Sequence, residues 1–355
     1  MPYNGALAIL NYKKQKWDFK ALSSPNKPKT VKQFVLAFNR QSGRKARIAW
    51  NGGYILNPEL AGKLGLPETY IGSPLGLLIS GGVMTSAPLF NKPALLVFKD
   101  GTIDIQRVNS RGGLRIGWKG HQITFDRKAY NNTGKGGDAA YFDLLHQDEI
   151  IRGEGRTIIR LSGNVVKEVL KTDRDSKIPL VPVGLTLALD PADVPDGLKT
   201  GETLEMMVPG MEGLRHAVEA GPLLLDQGRC EIDMEIEGWK SINSIRTQAA
   251  RLDYTEMRGP KIALGINQKN ELCVLTINGR IRESAGATHQ DMAEILQKKG
   301  MEKAMGFDPG GSSTLVVGGK TLNISPYNSK YETDAYALPP EPRAVSNAII
   351  GFIEE

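Results

Sequence analysis

Asp308, Pro309, Gly310, Gly311, Ser312, Ser313 and Thr314 put one carboxylate, two conformationally free residues and three hydroxyls within one short stretch. Such a run can aim successive backbone N–H groups and hydroxyls at a single anion, with Asp308 at its edge. It can equally be a tight turn in which Asp and Ser close local hydrogen bonds. A second acid, Glu219, stands before the Gly221-Pro222 turn, and Asn51-Gly52-Gly53 is another polar turn at a strand end. Lys261, Arg280 and Arg343 are cations placed in the same way. One or two carboxylates, several cations and a nest of amides together suit a phosphate-bearing substrate. Taken singly, each residue has an ordinary alternative. Arg343 can pair with a surface acid, and Glu219 can be a solvated strand-end charge.

Other chemistries find less support. The four histidines, His121, His146, His216 and His289, show no H-x-x-x-H pair, which argues against a histidine-based metal site. His289 falls in a first helical turn and reads as a surface residue, while His216 is close enough to Glu219 to approach the site. There is no G-x-S-x-G elbow, no P-loop and no G-x-G-x-x-G after a strand. The two cysteines, Cys230 and Cys273, form no CxxC pair and read as buried free thiols.

The elements that must position these residues are mostly strands. The chain has 355 residues, 40% of them hydrophobic, and forty glycines spread through short turns, a pattern that favours many short strands. Strands are expected at 6–12, 47–50, 76–79, 94–99, 102–107, 156–161, 165–170, 184–189, 203–208, 261–267, 271–278, 314–317 and 345–352. Two helices are well marked. Thr30 and Gln33 form a T-x-x-Q capping box ahead of Val31, Phe34, Val35 and Phe38, with Gly43 as the stop. Thr288 and Asp291 open the other, with Met292, Ile295 and Leu296 as its apolar face. Residues 13–29 read as a polar loop, 111–160 as a Gly-, Asn- and charge-rich stretch with an exposed loop at 130–137, and 229–260 as mostly irregular. The loop 323–342 is long enough to act as a lid. The expected fold is α+β: a single domain over residues 1–355, of mixed β-sheets with a few flanking helices.

The net charge of +6 is modest and scattered, so nucleic acid is not an expected partner, whereas an anionic small substrate is compatible. No stretch has the length of a membrane helix. The first residues lack a basic n-region and a long apolar run, so the chain reads as cytoplasmic unless a leader has been trimmed from it. Nothing in the sequence sets the oligomeric state.

The order of motifs resembles the phosphodiester glycosidase family. Asn51-Gly52-Gly53-Tyr54 is similar to its N-G-G-F element, Gly221-Pro222-Leu223-Leu224 to its G-P-x-L segment, and Ala263-Leu264-Gly265 with Asn278-Gly279-Arg280 to its A-x-G and D-G-R elements. Gly286-Ala287-Thr288, the Asp308–Thr314 run and Arg343-Ala344-Val345-Ser346-Asn347-Ala348-Ile349 resemble its helix start, its D-G-G-G-S-S-T loop and its closing strand. The set spans nearly the whole chain in the family's order. Two departures stand out. Pro260-Lys261-Ile262 replaces P-R-T, losing an arginine fork and a hydroxyl, and Pro309 replaces a glycine, removing one amide donor.

The resemblance implies hydrolysis of a sugar-1-phosphodiester, such as a GlcNAc-1-phosphodiester or a phosphoglycan, to free sugar and phosphomonoester. Asp308 would be the catalytic carboxylate and Glu219 a weaker second. Lys261, Arg280, Arg343 and the Gly310 and Gly311 amides would hold phosphate. Asn51, Gly52, Gly53, Ser312, Ser313, Thr314 and Asn347 would complete the substrate site. A divalent cation, Ca²⁺ or Mg²⁺, on Asp308 is compatible with hard-ligand chemistry. Two alternatives stay open: a non-catalytic sugar- or phosphoglycan-binding module, and a phosphodiesterase attacking at phosphorus.

Overall fold

The computed structural model describes residues 3–354 apart from 26, 133–137, 144, 147, 182, 240–255 and 327–341. Both marked helices form. In α1 (Val31–Ser42), Thr30 and Gln33 close the reciprocal capping box and Gly43 ends the helix at φ 68°. A short helix, α2 (Pro58–Lys63), is capped by Asn57, whose side chain accepts from Leu60 N. In α3 (His289–Lys298), Thr288 and Asp291 make the second capping box.

Two antiparallel sheets carry the motifs. One runs in the order Gly5–Asn11, Glu271–Ile277, Lys261–Ile266, Lys303–Gly306, Leu223–Asp226, Arg229–Cys230. The other runs Trp17–Ser23, Asn347–Ile353, Ile48–Asn51, Leu315–Val317, Lys320–Thr321. Their inner faces pack together through Phe19, Trp50, Ile349, Leu264, Val274 and Phe307. The outer face of the second sheet is covered by Val31, Phe34, Val35 and Phe38 of α1, against Ala49, Val316 and Ile350. The outer face of the first is covered by Met292, Ala293 and Leu296 of α3. The result is helix, sheet, sheet, helix, with each amphipathic face buried once; each large side chain so buried is worth about 1.5–3 kcal/mol.

A five-stranded sheet (Val83–Ser86, Leu78–Ser80, Leu214–Glu219, Pro93–Phe98, Ile103–Arg107) adjoins this core. Leu95, Val97, Ile103 and Ile105 pack into it, while Leu96, Leu77 and Ala217 face a second cluster with Tyr141, Ile159 and Leu187. No described helix is long and apolar enough to cross a membrane.

Several expectations need correction. The sheets are not mixed: every ladder between the described strands is antiparallel. Residues Trp17–Ser23 form a strand and not a loop; Trp17, Phe19 and Ala21 alternate with Asp18, Lys20 and Leu22, and the flanking lysines obscured that period of two. Within 111–160, Leu114–Trp118 and His121–Phe125 pair as a hairpin, and Ala140–Phe142 and Ile150–Arg152 are further strands. Lys303–Gly306 is a strand inside the first sheet. His289 is buried, and Cys230 is exposed because it lies on a two-residue edge strand. The greater part of the expected lid at 323–342 lies outside the described residues, as do 133–137 of the expected exposed loop and 240–255 of the stretch read as irregular.

Candidate active site

Trp50 and Phe307 sit edge to face in the central core, with ring centroids 6.3 Å apart. Each immediately precedes a polar turn, Asn51 after one and Asp308 after the other, so the packed rings fix the two turns relative to each other. Asn51 then clasps the Asp308 loop at both ends. Its amide donates to Asp308 O at 2.9 Å and its carbonyl oxygen accepts from Thr314 N at 3.0 Å. Asn347 does the same for the neighbouring turn, accepting from Gly53 N at 2.8 Å while Gly52 N donates to its backbone carbonyl. A Cβ on Gly52 would lie 1.8 Å from Asn347 Oδ1, which is why glycine stands there. Asn51 and Asn347 are both fully buried, so they position the site and do not face a substrate.

A cavity of about 310 Å³ opens over this framework, at the small end of the range for small-molecule sites. Among the described residues, Asp308 is the one carboxylate in its lining, and Lys63, Arg258, Lys261 and Arg280 are its cations. Tyr54, Ile55, Leu60 and Leu75 give it an apolar side. Burial pushes the Asp308 carboxyl above the ordinary carboxylate range, while the Arg343 guanidinium and the Ser312 hydroxyl beside it pull the other way. Burial, with Arg280 close by, lowers the Lys261 ammonium to about 8, Asp291 offsetting part of the shift. Gly310, at φ 68°, lets the loop pass within 3.3 Å of the Arg280 guanidinium, counted from where a Cβ would be. Arg280 also takes a left-handed backbone at φ 59° and donates to Pro326 O, so its side chain is aimed by a special backbone position.

The structure thus brings together Asp308, Lys261, Arg280 and Gly310 at the cavity. Other expected members sit elsewhere. The Gly310 amide donates to Pro260 O at 2.9 Å, so it is not free to receive phosphate. Ser312, Ser313 and Thr314 are buried beneath the loop, and Thr314 Oγ1 donates to Ser312 O. Arg343 reaches the loop through its N–H to Gly311 O at 3.3 Å and its field on Asp308.

Glu219 is corrected outright. It does not line the cavity. Its carboxylate is fully buried, accepts from Leu77 N and Leu89 N at 2.7 and 3.2 Å, and pairs with Lys92 at 3.3 Å. Loss of hydration pushes it up to about 7, Lys92 and the two amides opposing. His216 is likewise buried away from the cavity, accepting from Gly81 N at 3.1 Å.

Lys92 itself carries no sequence signal, since Asn91-Lys92-Pro93 reads as a surface turn. It donates to Leu75 O at 2.8 Å and lies 5.4 Å from the Tyr54 ring and 5.2 Å from the Trp239 ring. Tyr54 in turn donates to Gly221 O at 2.7 Å. The buried pair therefore braces two residues of the cavity wall. Lys92→Met leaves the Glu219 carboxylate without its counter-charge and is expected to cost about 3–5 kcal/mol at neutral pH. A folded-state pKa above the unfolded value gives stability below the unfolded pKa that is lost as pH rises through the folded one. Urea melts of the variant should therefore show a smaller loss at pH 5 than at pH 8.

The described residues offer a divalent cation few donors at this cavity. Asp308 is the cavity's one carboxylate and stands among four cations, and no group of three or more His, Cys, Asp or Glu suited to a metal occurs among the described residues. Of the residues that sequence reasoning missed, Lys63 had a findable signal. Asn57-Pro58 is a helix start with proline in the first turn. Arg258 had none.

Comparison with known proteins agrees with the motif order. A structure from Synechocystis superposes over 99% of this chain with a TM-score of 0.59 at 19% identity, this chain spanning 59% of its length. A Burkholderia pseudomallei protein gives 0.58 at 17%, over 99% of this chain and 74% of its own. The zebrafish N-acetylglucosamine-1-phosphodiester alpha-N-acetylglucosaminidase catalytic domain, auto-inhibited by its pro-peptide, gives 0.51 at 14%, over all of this chain and 83% of its own. At these identities the likeness is one of fold. An uncharacterised SPbeta prophage-derived protein, YomE, of Bacillus subtilis is 34% identical over 67 residues, covering 19% of this chain and 10% of its own length. The stretch 146–352, which holds Lys261, Arg280, the whole Asp308 loop and Arg343, matches the phosphodiester glycosidase model, and over half its length the chain therefore belongs to that family.

Proposed function

We propose that the protein hydrolyses a sugar-1-phosphodiester by attack at the anomeric carbon, releasing sugar and a phosphomonoester. The observation that carries this reading is the cavity's composition: one carboxylate, Asp308, facing several cations. A departing phosphomonoester needs little protonation, so a second carboxyl acting as general acid is dispensable. Asp308 activates water or attacks the anomeric carbon itself. Lys261 and Arg280 neutralise the charge that grows on the phosphate as the C–O bond breaks. The apolar side, Tyr54, Leu60 and Leu75, suits the C–H face of a sugar ring. Membership of the family and the fold shared with the zebrafish enzyme support the same substrate chemistry.

Hydrolysis of a GlcNAc-1-phosphodiester in ¹⁸O-water tests this. The label is expected in the sugar's anomeric hydroxyl. Label in the phosphate would instead establish attack at phosphorus, and binding without turnover would establish a sugar-binding module. The anomer first released identifies the role of Asp308: retention marks a nucleophile and inversion a general base.

A further inference from the structure

A second cavity, of about 510 Å³, lies where three sheets meet. It is bounded by Leu22 and Ser23 at the end of one strand, by α1, by the hairpin carrying Ser80 and Thr85, and by the hairpin turn Ser162 to Val165. Its polar lining includes Lys29, Lys167, Ser80, Thr85, Ser162 and Asn164, and no aspartate or glutamate among the described residues lines it.

The two lysines have no carboxylate partner among the described residues. Lys167 Nζ donates to Thr69 O at 2.6 Å and lies 5.3 Å from the Tyr70 ring, and burial lowers its pKa with no acid to offset the shift. Lys29 packs its ammonium 5.7 Å from the Phe34 ring. Ser162 Oγ is buried and has no hydrogen-bond partner. Unpartnered buried hydroxyls are rare in folded proteins and call for an explanation. A cavity with two uncompensated ammonium groups, several hydroxyls and an apolar floor at Ile71 and Pro74 is complementary to an anion that also carries hydroxyls.

We propose that this cavity is a second binding site, for an anionic carbohydrate, with the acid group between Lys29 and Lys167 and ring hydroxyls on Ser162 and Asn164. It stands whether or not Asp308 is catalytic. The two cavities share a wall: Ser73 and Pro74 line this one, Leu75 lines the other, and Pro74 bridges to Ile55 of the other. A ligand here therefore presses on the backbone that shapes the proposed active site, and a long phosphoglycan could be held at both.

Titration calorimetry with glucose 6-phosphate, glucose 6-sulfate, glucose and inorganic phosphate tests the site on the intact protein. Wild type is expected to bind both charged sugars here and more tightly than either glucose or phosphate. Lys29→Ala/Lys167→Ala should weaken that event about tenfold or more, while Lys261→Met, which alters the other cavity, should leave it unchanged. Ser162→Val loses no protein hydrogen bond and should keep the melting temperature while weakening binding several-fold. It serves as the deciding variant if the double change unfolds the protein. Unchanged affinity in these variants, or phosphate binding as tightly as the charged sugars, overturns the proposal. Failure of turnover in the labelled-water experiment would leave these titrations untouched.

Discussion

Asp308→Asn is expected to lower kcat on a sugar-1-phosphodiester by about 10³-fold or more without weakening the fold. The two side chains have the same shape, so the clasp by Asn51, which engages backbone atoms only, survives. The stability sign follows from the raised carboxyl of Asp308. A folded-state pKa above the unfolded one means that the ionised group costs stability near neutral pH. Removing the charge should therefore leave the melting temperature level or raise it. Loss of turnover with retained or increased stability is the signature of a group kept for chemistry. Full activity in this variant would exclude Asp308 as the catalytic carboxylate. In the wild-type enzyme, activity should climb with pH as Asp308 ionises, on a limb displaced upward from the ordinary carboxylate range.

Lys261→Met is expected to lower kcat/KM about 10- to 100-fold, with a fall in kcat as well as a rise in KM, since a charged hydrogen bond that strengthens as charge grows on the phosphate is lost. The pH dependence separates this from a packing defect. With its ammonium lowered to about 8, Lys261 is cationic below that pH and neutral above it, so substrate affinity should fall as pH rises through about 8. Lys261→Arg should retain affinity at pH 9, because a guanidinium stays charged. If the arginine variant falls off at the same pH as wild type, another group sets the alkaline limb. Retained affinity in the arginine variant would mean that Lys261, standing where the resemblance expects an arginine, makes this protein the more sensitive to alkali.

Much of this arrangement was legible in the sequence, for physical reasons that differ by element. The two long helices were readable because their caps are local: Thr30 with Gln33 and Thr288 with Asp291 complete their bonds within four residues. The Asp308 loop was readable because glycines, hydroxyls and an acid in sequence mark a polar turn between apolar stretches. What failed was long-range. Glu219 resembles a strand-end acid, and only the fold shows that it is walled in by Leu77, Leu89 and Lys92. The Gly310 amide looked available until Pro260, brought in by the neighbouring strand, took its hydrogen bond. Asn51 and Asn347 were expected in the substrate site, but their buried amides join backbones instead of facing solvent. The strand Trp17–Ser23 hid because lysines flank a short alternating pattern.

The pairing of Trp17–Ser23 with Asn347–Ile353, and of Gly5–Asn11 with Glu271–Ile277, has a consequence for how the molecule comes to exist. These ladders join strands far apart in the chain, so their loop-closure entropy is met before any contact repays it, and topologies of this kind fold slowly. During synthesis, Trp50 and Asn51 emerge long before Phe307, Thr314 and Asn347, the residues that pack and clasp them. Until Asn347–Ile353 has left the ribosome, the sheet that holds Asn51 lacks the strand that joins Trp17–Ser23 to Ile48–Asn51 and exposes apolar edges to association. The candidate cavity thus takes its final framework only once the segment around Asn347 has been made.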